Sequence, residues 1–113
     1  MTESNLPPGW IRGVLDPCVL ALVGDDETYG YELAGRLGDA GLGPVKGGSL
    51  YPSLARLEKH GFLASQWRAG DGGPGRKYYT LTDRGRSELR EQSRIWAAFA
   101  SRVSSVLDVE VHP

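Results

Sequence analysis

The chain has 113 residues, 40% hydrophobic and 24% charged, which is the composition of an ordinary folded protein with room for one domain. No apolar run approaches the ~20 residues of a membrane span, and Met1–Gly9 lacks the basic-then-apolar pattern of a leader. The single cysteine, Cys18, excludes an internal disulfide framework and fits a cytoplasmic protein. Thirteen Lys and Arg against fourteen Asp and Glu leave a formal charge of −1, which as a bulk value argues against a nucleic-acid binder.

The distribution argues otherwise. Met1–Val45 holds two cations and seven carboxylates, a net of −5, whereas Lys46–Arg94 holds ten cations and five carboxylates, a net of +5. The remainder, Ile95–Pro113, nets −1. Partners are steered by local fields and not by a sum over the chain, so the middle segment is where an anionic partner would be met.

In chain order, Asp16-Pro17 is a helix-start signal, with Asp to cap free amides and Pro where no donor is lost. Cys18–Val23 then predicts a short helix buried on most sides, ended by Gly24 and the acidic Asp25-Asp26-Glu27. Trp10, Ile11, Val14 and Leu15 fit either an earlier turn of that helix or an arm packed elsewhere. Thr28–Ala40 predicts a second helix with Leu33, Ala34 and Leu37 on one face, broken by Gly41-Leu42-Gly43-Pro44. A third helix begins near Gly48-Ser49 and runs to His60, with Leu50, Leu54 and Leu57 along its back and Gly61 as its C-cap. Its other face offers Ser49, Ser53, Arg56, Lys59 and His60.

The period then changes. Phe62–Arg68 and Lys77–Leu81 are short, aromatic and aliphatic, and predict strands joined by a long flexible loop, Ala69–Arg76, with four glycines and a proline. From Thr82 to about Leu107 the helical pattern returns. Leu89, Trp96, Ala100, Val103 and Leu107 form one apolar stripe, with Ile95, Phe99 and Val106 beside it. So wide an apolar face has too little domain to cover it, which predicts pairing with a second copy. The expected fold is therefore α+β and mostly helical: a winged helix-turn-helix of three helices and a two-stranded wing over residues 1–81. A long dimerisation helix over 82–107 and a disordered tail over 108–113 complete it.

Three stretches carry a resemblance. Gly30-Tyr31-Glu32-Leu33, the run Gly48–Leu63 (GSLYPSLARLEKHGFL) and Arg76–Gly85 (RKYYTLTDRG) resemble the PadR-like transcriptional regulators, in order and spacing from about Leu15 to Leu89. The resemblance is to the small branch, with a single C-terminal helix. It implies a homodimeric repressor binding a palindromic double-stranded DNA operator; the residues themselves offer no nucleophile motif and no phosphate-binding glycine fingerprint after a strand, so neither an enzyme nor a cofactor is expected. It also makes Tyr51 the foremost DNA contact.

The residues themselves suit that chemistry. Lys46, Gly47, Gly48 and Ser49 offer a cation and free amides to phosphate, and Tyr51, Ser53 and Arg56 can reach phosphates or base edges. Arg76 and Lys77 flank the loop and would hold a DNA backbone without reading sequence. At the dimer interface Trp96 reads first as core packing, while the sharper alternative makes Trp96 and Phe99 a platform for a small planar aromatic effector, as in some short relatives. Tyr31, Tyr78 and Tyr79 read as packing residues, and Cys18 as a small buried hydrophobe. His60 and His112 lack partners at metal spacing. Arg84, Arg86, Arg90 and Arg94 interleave with Asp83, Glu88 and Glu91 and should pair along their helix. The competing functions are a winged helix used for protein–protein contact and a ligand-binding dimer without operator recognition.

Overall fold

The computed structural model describes residues 6–70 and 72–110. Its elements are α1 (Pro8–Arg12), α2 (Leu15–Val23), β1 (Thr28–Tyr29), α3 (Gly30–Asp39), α4 (Gly47–Lys59), β2 (Leu63–Gly70), β3 (Gly73–Leu81) and α5 (Asp83–Leu107). Helices α2, α3 and α4 enclose one core made of Leu15, Val19, Leu20, Val23, Leu33, Leu37, Leu50, Leu54 and Leu57, sealed from the sheet side by Leu63 and Tyr79. The leucines of α4 at positions 50, 54 and 57 lie on one face by the helical period, which is why that face is dry and the opposite one wet.

Where α4 ends, the chain reverses through Gly61 at φ +79°. The Phe62 amide bonds to the Leu57 carbonyl at 2.9 Å and the Gly61 amide to that of Glu58 at 3.0 Å, the paired closure that glycine permits after a helix. Thr82 caps α5: its Oγ1 accepts from the Gly85 amide at 2.9 Å and donates to the Gly61 carbonyl at 2.7 Å, tying the start of α5 to the end of α4. Gly85 is buried there so closely that a Cβ would stand 2.1 Å from the Phe62 carbonyl oxygen.

Several expectations need correction. Asp16 does not cap α2, whose N-cap is Val14; it lies one residue inside the helix and its carboxylate reaches across to α4. The helix itself is buried on most sides as expected: Val19, Leu20 and Val23 are buried, Cys18 and Leu22 are partly covered, and of Cys18–Val23 only Ala21 is exposed. Trp10 and Ile11 belong to a separate short helix, with Ile11 packed on the core and Trp10 in solvent. Thr28 and Tyr29 are not helical. They form a third strand antiparallel to β3, pairing with Tyr79 and Tyr78, so the sheet order is β1-β3-β2.

The expected long loop is mostly ladder. Pairing continues through Arg68↔Arg76 to Gly70↔Gly73, with an irregularity between Arg68 and Gly70. Glycine makes this possible, because a Cβ on Gly70 would meet the Pro74 oxygen at 2.5 Å and one on Gly75 the Arg68 oxygen at 2.9 Å. Of the expected tail 108–113, residues 111–113, including His112, lie outside the described residues, as does Asp71.

In α5 only Gly85 is buried; Leu89 packs partly on the chain's own core rather than standing free for a partner. Ile95, Trp96, Phe99, Val103, Val106 and Leu107 are exposed. Among the described residues no helix is long and apolar enough to cross a membrane.

Candidate nucleic-acid interface

The connection between α3 and α4 sets α4 on the surface with its leucine face inward. The outward residues at its start are Lys46, Gly47, Gly48, Ser49 and Tyr51, all exposed. No side chain caps α4, and the backbone bonds to the Lys46 carbonyl begin at the Ser49 and Leu50 amides, so the amides of Gly47 and Gly48 precede the first bonded turn.

Tyr51 is 53% exposed, yet its ring is held. A Cβ on Gly30 would stand 2.6 Å from both Cε1 and Oη, and one on Gly47 would stand 3.4 Å from Cδ2 and Cε2. The ring therefore lies between two glycines, one opening α3 and the other opening α4, and that contact sets the position of its hydroxyl. Beside it Tyr31 is 80% exposed, against the expectation that it packs. The helical period explains this outcome: residues 30, 33 and 37 face the core, whereas residue 31 shares the outer face with Gly35 and Gly38. Tyr79 is buried as expected, and Tyr78 is half-buried against Tyr29 with ring centroids 5.3 Å apart.

Ser53 is the clearest correction among the expected DNA contacts. It is 0% exposed, and its Oγ donates to Asp16 Oδ1 at 2.5 Å, so it faces the domain interior. Arg56 is half-exposed and fixed by the same carboxylate, with Nη2 donating to Oδ1 at 2.8 Å and Nε to Oδ2 at 3.1 Å. Partial burial pushes the Asp16 carboxyl up, but hydrogen bonds from Arg56 and Ser53 and the nearby charges of Arg56 and His60 outweigh it, leaving it below the usual range.

At the base of the wing, Lys77 Nζ lies 2.9 Å from Glu58 Oε1, joining β3 to α4. The Ser65 and Lys77 hydrogen bonds hold Glu58 below its ordinary value, and the bond to Glu58 raises Lys77. Lys77 is thus two-thirds covered and already engaged, which makes it a brace for the wing more than a free cation. Arg76 places its guanidinium 4.6 Å from the Tyr29 ring centroid, and Arg68 places its own 5.2 Å from that of Tyr78.

Three carboxylates of the acidic first part are counter-ions for the basic segment. Asp16 pairs with Arg56, Glu27 with Arg68, and Asp25 with Arg86 at 3.3 Å. Of the four arginines expected to pair along α5, Arg94 does so, with Glu91; Arg86 turns to Asp25, Arg84 sits over the Phe62 ring, and Arg90 bonds Ser87. Lys46 and Lys59 have no ion pair among the described residues.

Adjoining this surface lies a groove of about 1320 Å³ lined by Trp10, Ile11, Val14, Cys18, Leu89 and Trp96 and also by Lys46, the N-cap of α4, and Ser49 and Arg56 within it. Trp96 and Phe99 are neighbours, with centroids 6.2 Å apart and planes tilted by 48°. Cys18 is only partly covered, and burial raises its thiol pKa.

A three-helix core whose third helix is carried outward, followed by an antiparallel hairpin, defines a winged helix-turn-helix protein. Residues 19–91 match the transcriptional regulator PadR-like family, and the chain belongs to it. It is 38% identical over 85 residues to a transcriptional regulator of Mycobacterium tuberculosis, covering 75% of this chain and 78% of that one. A PadR family transcriptional regulator from Eggerthella lenta superposes with a TM-score of 0.80 at 37% identity, over 90% of this chain and 88% of the other. Bacillus subtilis PadR, solved in complex with operator DNA, gives 0.64 at 28% identity, over 70% of this chain and 45% of the longer protein.

Proposed function

We propose that this chain is a repressor that grips a two-fold-related DNA operator as a homodimer and releases it when a small planar aromatic compound binds beside Trp96 and Phe99. The observation that carries the DNA half is the division of α4: Leu50, Leu54 and Leu57 are buried while Lys46, Ser49, Tyr51 and Arg56 stand on the surface. Tyr51 enters the footprint held by Gly30 and Gly47, Arg56 held by Asp16, and Arg76 from the wing. Ser53 leaves it, and Lys77 serves by bracing the wing.

The homodimer is supported by α5, whose Trp96, Phe99, Val103, Val106 and Leu107 are all left exposed by the chain. It also meets an energetic need. One copy with about five cationic and polar phosphate contacts binds weakly at physiological salt, whereas two copies a helical turn apart, ~34 Å, bind usefully. The effector reading draws on the groove, which joins Trp96 to the first residues of α4 through one continuous lining. A compound wedged there would meet the dimer helix and the recognition helix together.

The test is selection of bound fragments from genomic DNA, followed by titration against salt. Enrichment of a sequence with two inverted half-sites one turn apart is the expected result. No enrichment, with binding to duplex DNA that does not weaken as salt rises, would sink the proposal and favour a protein–protein module.

A further inference from the structure

The chain has three tryptophans, and two of them, Trp10 and Trp96, line the groove. Trp67 does not. It lies on β2, where it pairs with Lys77 across the hairpin, and it is 68% exposed. An indole left in water on a strand is costly to keep unless something covers it, and the chain leaves most of this one open; Gly75 lies near one edge of the ring, where an added Cβ would stand 3.7 Å from Cε3.

Its setting indicates what covers it. Beyond Arg68 and Arg76, toward the turn, β2 and β3 present Ala69, Gly70, Gly73, Pro74 and Gly75, so the wing narrows to a ribbon with almost no side-chain bulk. The indole is the last aromatic side chain of β2 before that ribbon. Lys77 stands directly across the hairpin on the indole's own face, held there by Glu58, and Arg68 and Arg76 form the next cross-strand pair. The guanidinium groups of Arg68 and Arg76 rest near the Tyr78 and Tyr29 rings, on the face of the hairpin opposite Trp67. Flat apolar surface plus an N–H donor, on a narrow hairpin that carries cations on both faces, suits a deoxyribose face and its phosphate.

Resting on the DNA-binding reading of the wing, we infer that Trp67 is a direct DNA contact, packing its indole on the sugar–phosphate edge of the groove that the wing enters. It adds affinity without neutralising a phosphate, in contrast to the cations beside it.

That difference sets the experiment. The full chain is titrated with a fluorescein-labelled, mixed-sequence 30-base-pair duplex at ~50 mM salt and upward, reading anisotropy. Trp67→Ala is expected to bind about tenfold more weakly at every salt concentration with an unchanged slope of log K against log salt, and Trp67→Phe to recover most of the loss. Arg76→Ala is expected to lower the slope by about one. In the unmodified chain tryptophan emission should change in step with anisotropy, and the part of that change due to Trp67 should be missing from Trp67→Ala at saturating duplex. Affinity of Trp67→Ala within twofold of the unmodified chain, or an emission change that Trp67→Ala retains in full, overturns the inference and leaves DNA binding standing. No binding by the unmodified chain overturns both. Because Trp67 is exposed, its replacement is expected to leave the thermal midpoint unchanged, which separates lost contact from lost fold.

Discussion

The Asp16 carboxylate joins α2 to α4, and removing it should cost more than its exposed ion pair suggests. In Asp16→Ala the Ser53 hydroxyl, fully buried, loses the acceptor it holds at 2.5 Å. A buried polar group left without a partner costs ~1–3 kcal/mol. The Arg56 share is smaller, ~0.2–1 kcal/mol, because that side chain is half in solvent and its field is screened. Together they predict a loss of about 2 kcal/mol, or roughly 8–10 °C in thermal midpoint for a chain of this size. Ser53→Ala should cost only about 1 kcal/mol, since the partly exposed Asp16 can hydrate itself. The double variant should then be less destabilised than the sum of the two, by about 1 kcal/mol, as the orphaned hydroxyl is gone. Urea denaturation followed by circular dichroism at one fixed protein concentration measures all three. Strict additivity, or an Asp16→Ala loss below about 0.5 kcal/mol, would refute the assignment of Ser53 to an interior clamp.

Three further outcomes follow from the geometry. Gly85→Ala places a methyl group 2.1 Å from the Phe62 carbonyl oxygen, so α5 must shift, and a loss of about 2–3 kcal/mol is expected in the same denaturation assay; an unchanged midpoint would show that this crossing is loose. Gly30→Ala displaces the Tyr51 ring, whose far end can swing outward, so stability should change little while duplex affinity falls about tenfold by anisotropy. Equal affinity would remove Tyr51 from the footprint. Asp16 and Glu58 both titrate below their ordinary values, so their stabilisation is complete above the unfolded-state values and is lost as pH falls through the folded ones. Denaturation midpoints should be level from pH 7 to about 5 and fall below about 4.5, less steeply in Glu58→Gln. A midpoint that rises on acidification would contradict both assignments.

Much of the local structure was readable because its causes sit within a few residues of each other. The leucine spacing and Gly61 bounded α4 to within a residue or so at each end, and Thr82 marked the start of α5. The hairpin was found from its composition, but its extent was not. Glycine is a poor strand former on average, yet here it is required by the close approach of two backbones, which a composition rule cannot see. Thr28 and Tyr29 were missed as a strand because two residues carry no period; they become one only by meeting Tyr78 and Tyr79. Ser53 was misplaced because a serine at helical spacing reads as surface until a carboxylate from another helix is seen to cover it.

By itself, then, the sequence determined a near-neutral chain with an acidic beginning and a basic middle, a leucine-backed helix ahead of the hairpin, and an apolar stripe on the last helix. Only the tertiary structure decided which of those charges remain available. Asp16 meets Arg56 across 40 residues of chain, Glu27 meets Arg68 across 41, and Asp25 meets Arg86 across 61. Helix caps and periods depend on neighbours in the chain, whereas these pairs depend on how the helices and the hairpin pack. Three of the acidic part's carboxylates are thus paired with the basic part's arginines, whereas Lys46 and Lys59, at the two ends of α4, have no ion pair among the described residues.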